Sequence, residues 1–90
     1  MTNSSYLIVY KKTVEKDLRG LSLELRKIIV KKILALSVDP FPKTVTKLSE
    51  SKDLCRLRHY DYRIVCQIQN SKLVVLIIKV GHRREIDKDF

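Results

Sequence analysis

Apolar positions open the chain as a run from Tyr6 to Tyr10, bounded by Asn3-Ser4-Ser5 and Lys11-Lys12. β-Branched and aromatic side chains between polar stops predict a short strand there. The period then lengthens. Val14, Leu18 and Leu21 share one face of a short helix that Thr13 can cap, with Gly20 offering a left-handed exit. Ser22 can cap a second helix, in which Leu25, Ile28, Ile29, Ile33 and Leu36 recur at helical spacing while Arg26, Lys27, Lys31 and Lys32 face outward. Pro40 and Pro42 end it, because each disfavours helical geometry in the residue before it. A polar connection from Thr44 to Asp53 follows, with Leu48 as its anchor into the core.

From Leu54 the period switches to two. Arg56 and Arg58 alternate with Cys55 and Leu57, and His59-Tyr60-Asp61 turns the chain. Tyr62, Ile64, Cys66 and Ile68 then alternate with Arg63, Val65 and Gln67, and Asn70-Ser71 makes a second turn. Leu73 to Val80 is apolar on both faces, which predicts a central strand running into a basic tail. The order β-α-α-β-β-β implies an α+β fold with two N-terminal helices on a mostly antiparallel four-stranded sheet. Helices on one face leave the other to the tail or to a partner.

Ninety residues have room for one domain. Nineteen Lys+Arg against ten Asp+Glu leave a formal charge of +9, an excess that attracts polyanions, so nucleic acid or an acidic protein is the expected partner. Cys55 and Cys66 lie in strand-like segments without metal-binding spacing and read as buried, reduced thiols, which suits the cytoplasm. The N-terminal run lacks the flanks of a signal peptide, and no stretch has membrane-spanning length.

The chemistry gathers between Leu54 and Glu85, LCRLRHYDYRIVCQIQNSKLVVLIIKVGHRRE. Arg56 and Arg58 lie two residues apart and project from one sheet face, and Arg63 on the paired strand can join them. Clustered guanidiniums repel one another unless an anion sits among them, and their planar forks fit phosphate oxygens. The alternative is that each arginine reaches solvent or pairs with Asp61 or Glu85. His82 follows Gly81 at the end of the central strand, where an imidazole beside arginines can exchange a proton. Two histidines without clustered thiols or carboxylates give no metal site. No nucleophile elbow, Gly-rich phosphate loop or carboxylate pair is present. Chemistry by positive charge remains. RNA cleavage can use it, since the 2′-hydroxyl is an internal nucleophile and no cofactor is required.

KLSESKDLCRLRHYDYRIVCQI followed by LVVLIIKVGHRREI resembles the signature of RelE/ParE-type bacterial toxins: a leucine-anchored loop, a basic hairpin carrying a Tyr-Arg pair, and a last strand ending in Gly-His-Arg. The resemblance spans nearly the whole chain and is most specific in its C-terminal half. It implies a RelE-like, microbial-RNase-like fold and the toxin of a type II toxin-antitoxin system, closest to ribosome-dependent mRNA interferases. Arg56, Arg63 and Arg83 match the family's basic catalytic positions, with His82 as the proton-transfer candidate. Arg58, Lys79, Arg84, Phe90, Lys31 and Lys32 are the RNA-binding candidates. The sequence departs from the family at Leu54, where a basic residue is usual, and at Asp87, which stands at the spacing of the tail tyrosine.

Implied partners are an acidic antitoxin in a hetero-oligomer and mRNA on the ribosome, with contacts to 16S rRNA. A ParE-like inhibitor of DNA gyrase and a non-catalytic RNA-binding module are the alternative readings. On the first reading, Arg63→Ala and Arg83→Ala relieve growth arrest and spare the fold.

Overall fold

In the computed structural model, which describes residues 5–40, 45–49 and 53–89, the second helix begins at its expected cap. Ser22 Oγ accepts the Leu25 N–H at 3.2 Å, satisfying one of the donors that a helix start leaves open. This helix, α2 (Leu23–Ala35), follows strand β1 (Leu7–Tyr10) and helix α1 (Lys12–Arg19). Two details of α1 differ from expectation. Its N-cap is Lys11, without a side-chain hydrogen bond, so Thr13 lies inside the helix. Gly20 takes a right-handed conformation, with φ of −77°, and no left-handed exit forms. The capping work falls instead to Arg26, expected on the outer face of α2. Its guanidinium folds back to donate to the carbonyls of Leu18 at 2.9 Å, Leu21 at 3.3 Å and Arg19 at 3.4 Å. An α-helix ends with unsatisfied carbonyls, and one arginine fork serves several of them.

The sheet has five strands in the order β1-β5-β4-β3-β2, where β2 is Val45–Ser49, β3 Leu54–His59, β4 Tyr62–Gln69 and β5 Val74–His82. The α+β class and mostly antiparallel pairing stand, with one strand more than the four expected. β2 occupies the segment read as a polar connection and pairs antiparallel with β3, broken by a register shift between Lys47 and Ser49. An edge strand held by main-chain pairing needs little apolar side chain, so the period-two signal was faint. Leu48, expected as an anchor into the core, is half-buried. β5 is central, as its apolar faces require: β1 lies parallel on one side and β4 antiparallel on the other. A residue is gained on β5 between the pairs Val65–Lys79 and Cys66–Ile77. Just past the end of β1, the Val80 N–H finds its acceptor in Asp17 Oδ2 of α1 at 3.2 Å, while Lys79 Nζ reaches Asp17 Oδ1 at 3.1 Å.

Val14, Ile29, Ile33 and Leu36 from the helices close on Cys55, Leu57, Ile64, Cys66, Ile68, Val75, Ile77 and Val80 of one sheet face. Ile28, placed in the same stripe by spacing, flanks it and remains exposed. The opposite face is partly covered by the tail, which is a third helix, α3 (Arg83–Asp89), and not an extension of the strand. Ile86 carries it. That side chain is 1% exposed, as Val65 beneath the same face is 0% exposed. A Cβ on Gly81 would stand 3.3 Å from Ile86 Cδ1, so the missing side chain is what lets the helix lie close. Phe90 lies outside the described residues.

Candidate functional site

Strand pleating sorts the candidate residues between the two faces. Arg58 and Arg63 are directly opposed across β3 and β4, and Arg56 is opposed to Val65. These three arginines therefore share the face covered by α3. His82 is paired with Tyr62, whose side chain packs against the helix-side core. The two rings meet edge to face at 5.6 Å, and His82 lines a small cleft with Asp17, Leu21, Tyr62 and Glu85. His82 thus stands on the other face from the arginine group, at the rim of the sheet.

Within the arginine group the degree of burial divides the roles. Arg63 is 7% exposed, and its Nη1 donates to the carbonyls of Tyr60 at 2.7 Å and Tyr62 at 3.1 Å, closing the β3–β4 turn. Arg56 Nη1 donates to Asp87 Oδ1 at 2.8 Å, and Arg63 Nε lies 3.7 Å from the same oxygen. One carboxylate oxygen of α3 therefore sits between two guanidiniums. The Nε atoms of Arg56 and Arg63 are nevertheless buried and make no hydrogen bond to any described residue. A buried N–H of a charged group without an acceptor is costly, and here two point to unused capacity for an anion. Arg58 is exposed beside them.

The remaining candidates lie around this group. Arg83 is exposed, its Nε 3.7 Å from Asp61 Oδ1, while its backbone N–H donates to the Asp61 carbonyl at 2.6 Å and ties the start of α3 to the hairpin turn. Arg84 is exposed, and its N–H donates to His82 Nδ1 at 3.1 Å, so the neutral imidazole keeps its proton on Nε2. Lys79 is engaged by Asp17. Lys31 and Lys32 belong to α2, on the helix side of the sheet. Burial first, and then Lys32, hold His59 below the ordinary imidazole value, which favours its neutral form. Among the described residues, no group of three or more His, Cys, Asp and Glu is placed to hold a metal ion. No described helix is long and apolar enough to cross a membrane.

The model of the ParE toxins of type II toxin-antitoxin systems matches residues 7–87, which takes in α1, α2, the arginine hairpin and the first five residues of α3. The chain belongs to this family. No curated protein matches the sequence. Among solved structures, this ParE-family toxin is similar to the archaeal RelE–RelB complex from Pyrococcus horikoshii OT3, at 27% identity and a TM-score of 0.80 over 88% of this chain and 96% of that one. It is also similar to the RelBE toxin-antitoxin complex of E. coli, at 26% identity and a TM-score of 0.75 over 87% and 96% of the two chains. The RelBE2 complex of Mycobacterium tuberculosis, at 24% identity, a TM-score of 0.77 and coverage of 91% and 95%, shares the fold.

In this ParE-family toxin the least legible member of the site was Asp87. Its spacing marks it as a departure from the tyrosine pattern, but nothing in a linear sequence says that a carboxylate near the C-terminus reaches Arg56, 31 positions away. Asp61 and Tyr62 were visible as turn and strand residues. Their contacts to Arg83 and His82 depend on where the hairpin tip meets α3.

Proposed function

We propose that the toxin acts in the cytoplasm on mRNA held in the ribosome, as an endoribonuclease that stops translation and is restrained by an acidic antitoxin. The observation that carries this reading is the arginine group on the α3 face: Arg56 and Arg63 share one carboxylate oxygen, and each keeps a buried Nε without an acceptor among the described residues. A scissile phosphate in that position would receive charge-assisted hydrogen bonds from two planar forks, with Arg58 and Arg83 at the margin for the neighbouring backbone. In the reaction the 2′-oxygen attacks phosphorus, the bond to the 5′-oxygen breaks, and a 2′,3′-cyclic phosphate and a 5′-hydroxyl result. The 2′-hydroxyl proton is lost and the leaving oxygen gains one. The arginines stabilise the charge of the pentavalent state, and no metal or cofactor enters. The solved RelE–RelB and RelBE structures are toxin-antitoxin complexes, which supports a hetero-oligomer with an antitoxin here.

Purified toxin added to programmed ribosomes is expected to cut the mRNA in the decoding site and to leave naked RNA nearly intact. Arg56→Gln is the informative variant. Uncut mRNA with the wild-type toxin would overturn the reading.

A second reading, a ParE-like inhibitor of DNA gyrase, is favoured by one observation: His82 lies on the opposite sheet face from Arg56 and Arg63, which leaves the arginine face without a histidine to transfer protons. Accumulation of gyrase-linked cleaved DNA, with ribosomal mRNA untouched, would select it.

A further inference from the structure

Asp87 does more than fill the spacing of a tyrosine. Its Oδ1 takes Arg56 Nη1 at 2.8 Å and lies 3.7 Å from Arg63 Nε, while the carboxylate as a whole is 43% exposed. It occupies the point at which an anion would meet both guanidiniums. We infer that Asp87 is an internal ligand of a phosphate-binding site made by Arg56 and Arg63, exchanged for the phosphate of the substrate, so that α3 is displaced when the site is filled.

This inference rests on the reading of the arginine face as a phosphate site, and three features support it. Two anions cannot share the site cheaply. A phosphate within a few ångströms of Asp87 is repelled at the same dielectric that makes the arginines attractive. The arginines are also incompletely satisfied by the carboxylate: Arg56 Nε and Arg63 Nε are buried without hydrogen bonds to any described residue, and the Arg63 side chain is only 9% exposed. A phosphate has more acceptor oxygens than a carboxylate and can serve donors that Asp87 leaves open. Finally, α3 is built to move at one end. Its start is tied down by Arg83 N–H to the Asp61 carbonyl and Arg84 N–H to His82 Nδ1. Beyond the start, Ile86 and Glu85 lie over Gly81 and the Asp87 ion pairs reach Arg56 and Arg63. Releasing Asp87 removes the polar half of that attachment.

The test is a titration with inorganic phosphate at constant ionic strength, read from the Nε–H signals of Arg56 and Arg63 in proton–nitrogen NMR spectra. Asp87→Asn and Asp87→Ser, both on an exposed helix position, are expected to bind phosphate about tenfold more tightly than the wild type, the equivalent of one carboxylate removed from the site. In the wild type, saturating phosphate is expected to speed amide exchange in α3. Equal phosphate affinity in all three proteins, or Nε–H signals unmoved by phosphate in Asp87→Asn, would overturn the inference. Cleavage of ribosomal mRNA is scored separately: cleavage by the wild type with no gain in phosphate affinity in the variants removes the exchange and leaves the nuclease. Tighter phosphate binding without cleavage keeps the exchange and removes the nuclease.

Discussion

Arg63 shows how a side chain of the proposed phosphate site also holds the fold. Its Nη1 holds the carbonyls of Tyr60 and Tyr62, and Tyr60 sits in a left-handed conformation, φ 53°, that the turn must maintain. The sequence-based expectation that Arg63→Ala spares the fold is therefore revised. We expect it to cost about 1–3 kcal/mol, because two partly buried turn carbonyls lose their donor. Urea unfolding would measure this. Arg56, whose side chain is 21% exposed and among the described residues bonds to Asp87, is expected to cost less than about 1 kcal/mol when changed to Gln. Equal losses would show that the turn does not depend on Arg63.

The cysteines give a second residue-scale expectation. Cys55 and Cys66 are directly opposed across β3 and β4, are buried, and form no disulfide. Burial first, with the neighbouring thiol second, pushes Cys66 from 9.0 up to about 12. A raised folded-state value means that the contribution to stability is complete below 9.0 and is lost as pH rises towards about 12, because the unfolded chain ionises first. Native protein at pH 8 should resist alkylation by iodoacetamide at Cys66, and stability should decline progressively above pH 9. Rapid native alkylation of that thiol would contradict the burial.

At the scale of elements, legibility followed the strength of each element's own signal. α2 was legible because Ile29, Ile33 and Leu36 form a stripe and Ser22 caps it. β3, β4 and β5 were legible because one or both faces are apolar. β2 and α3 were not. The first is stabilised by pairing with β3, which no local pattern announces. The second is seven residues long and carries a single buried apolar side chain, too little for a helical period to show. The site was legible to the same degree: period-two spacing placed three arginines on one face, whereas the carboxylate between two of them comes from α3 and became visible only with the fold. Ile86→Ala should cost about 2–4 kcal/mol and free α3 from the sheet. Hydrogen exchange should then rise in α3 and over Val65, while α2 is unchanged. Uniform change throughout the protein would mean that α3 is an inseparable part of the core.

For the whole molecule, the charge of +9 acts beyond any one contact. Encounter with an acidic partner is expected to slow about tenfold or more between low and high salt, since screening shortens the reach of the field. Stopped-flow association with an acidic antitoxin, followed across ionic strength, would show this. A flat dependence would confine recognition to short-range contacts.

The parallel pairing of β1 with β5 carries a consequence for synthesis. Leu7 to Tyr10 are made before their partners, Val74 to Ile77. The first strand must wait, unpaired, while more than sixty residues are added, counting from Tyr10 to Val74. The arginine face is closed by a helix that comes later still. Long-range pairing of this kind cannot be completed piecemeal. A chain whose synthesis stops before Val74 therefore lacks both its central strand and the cover of its arginines, and its first strand has no partner on which to close.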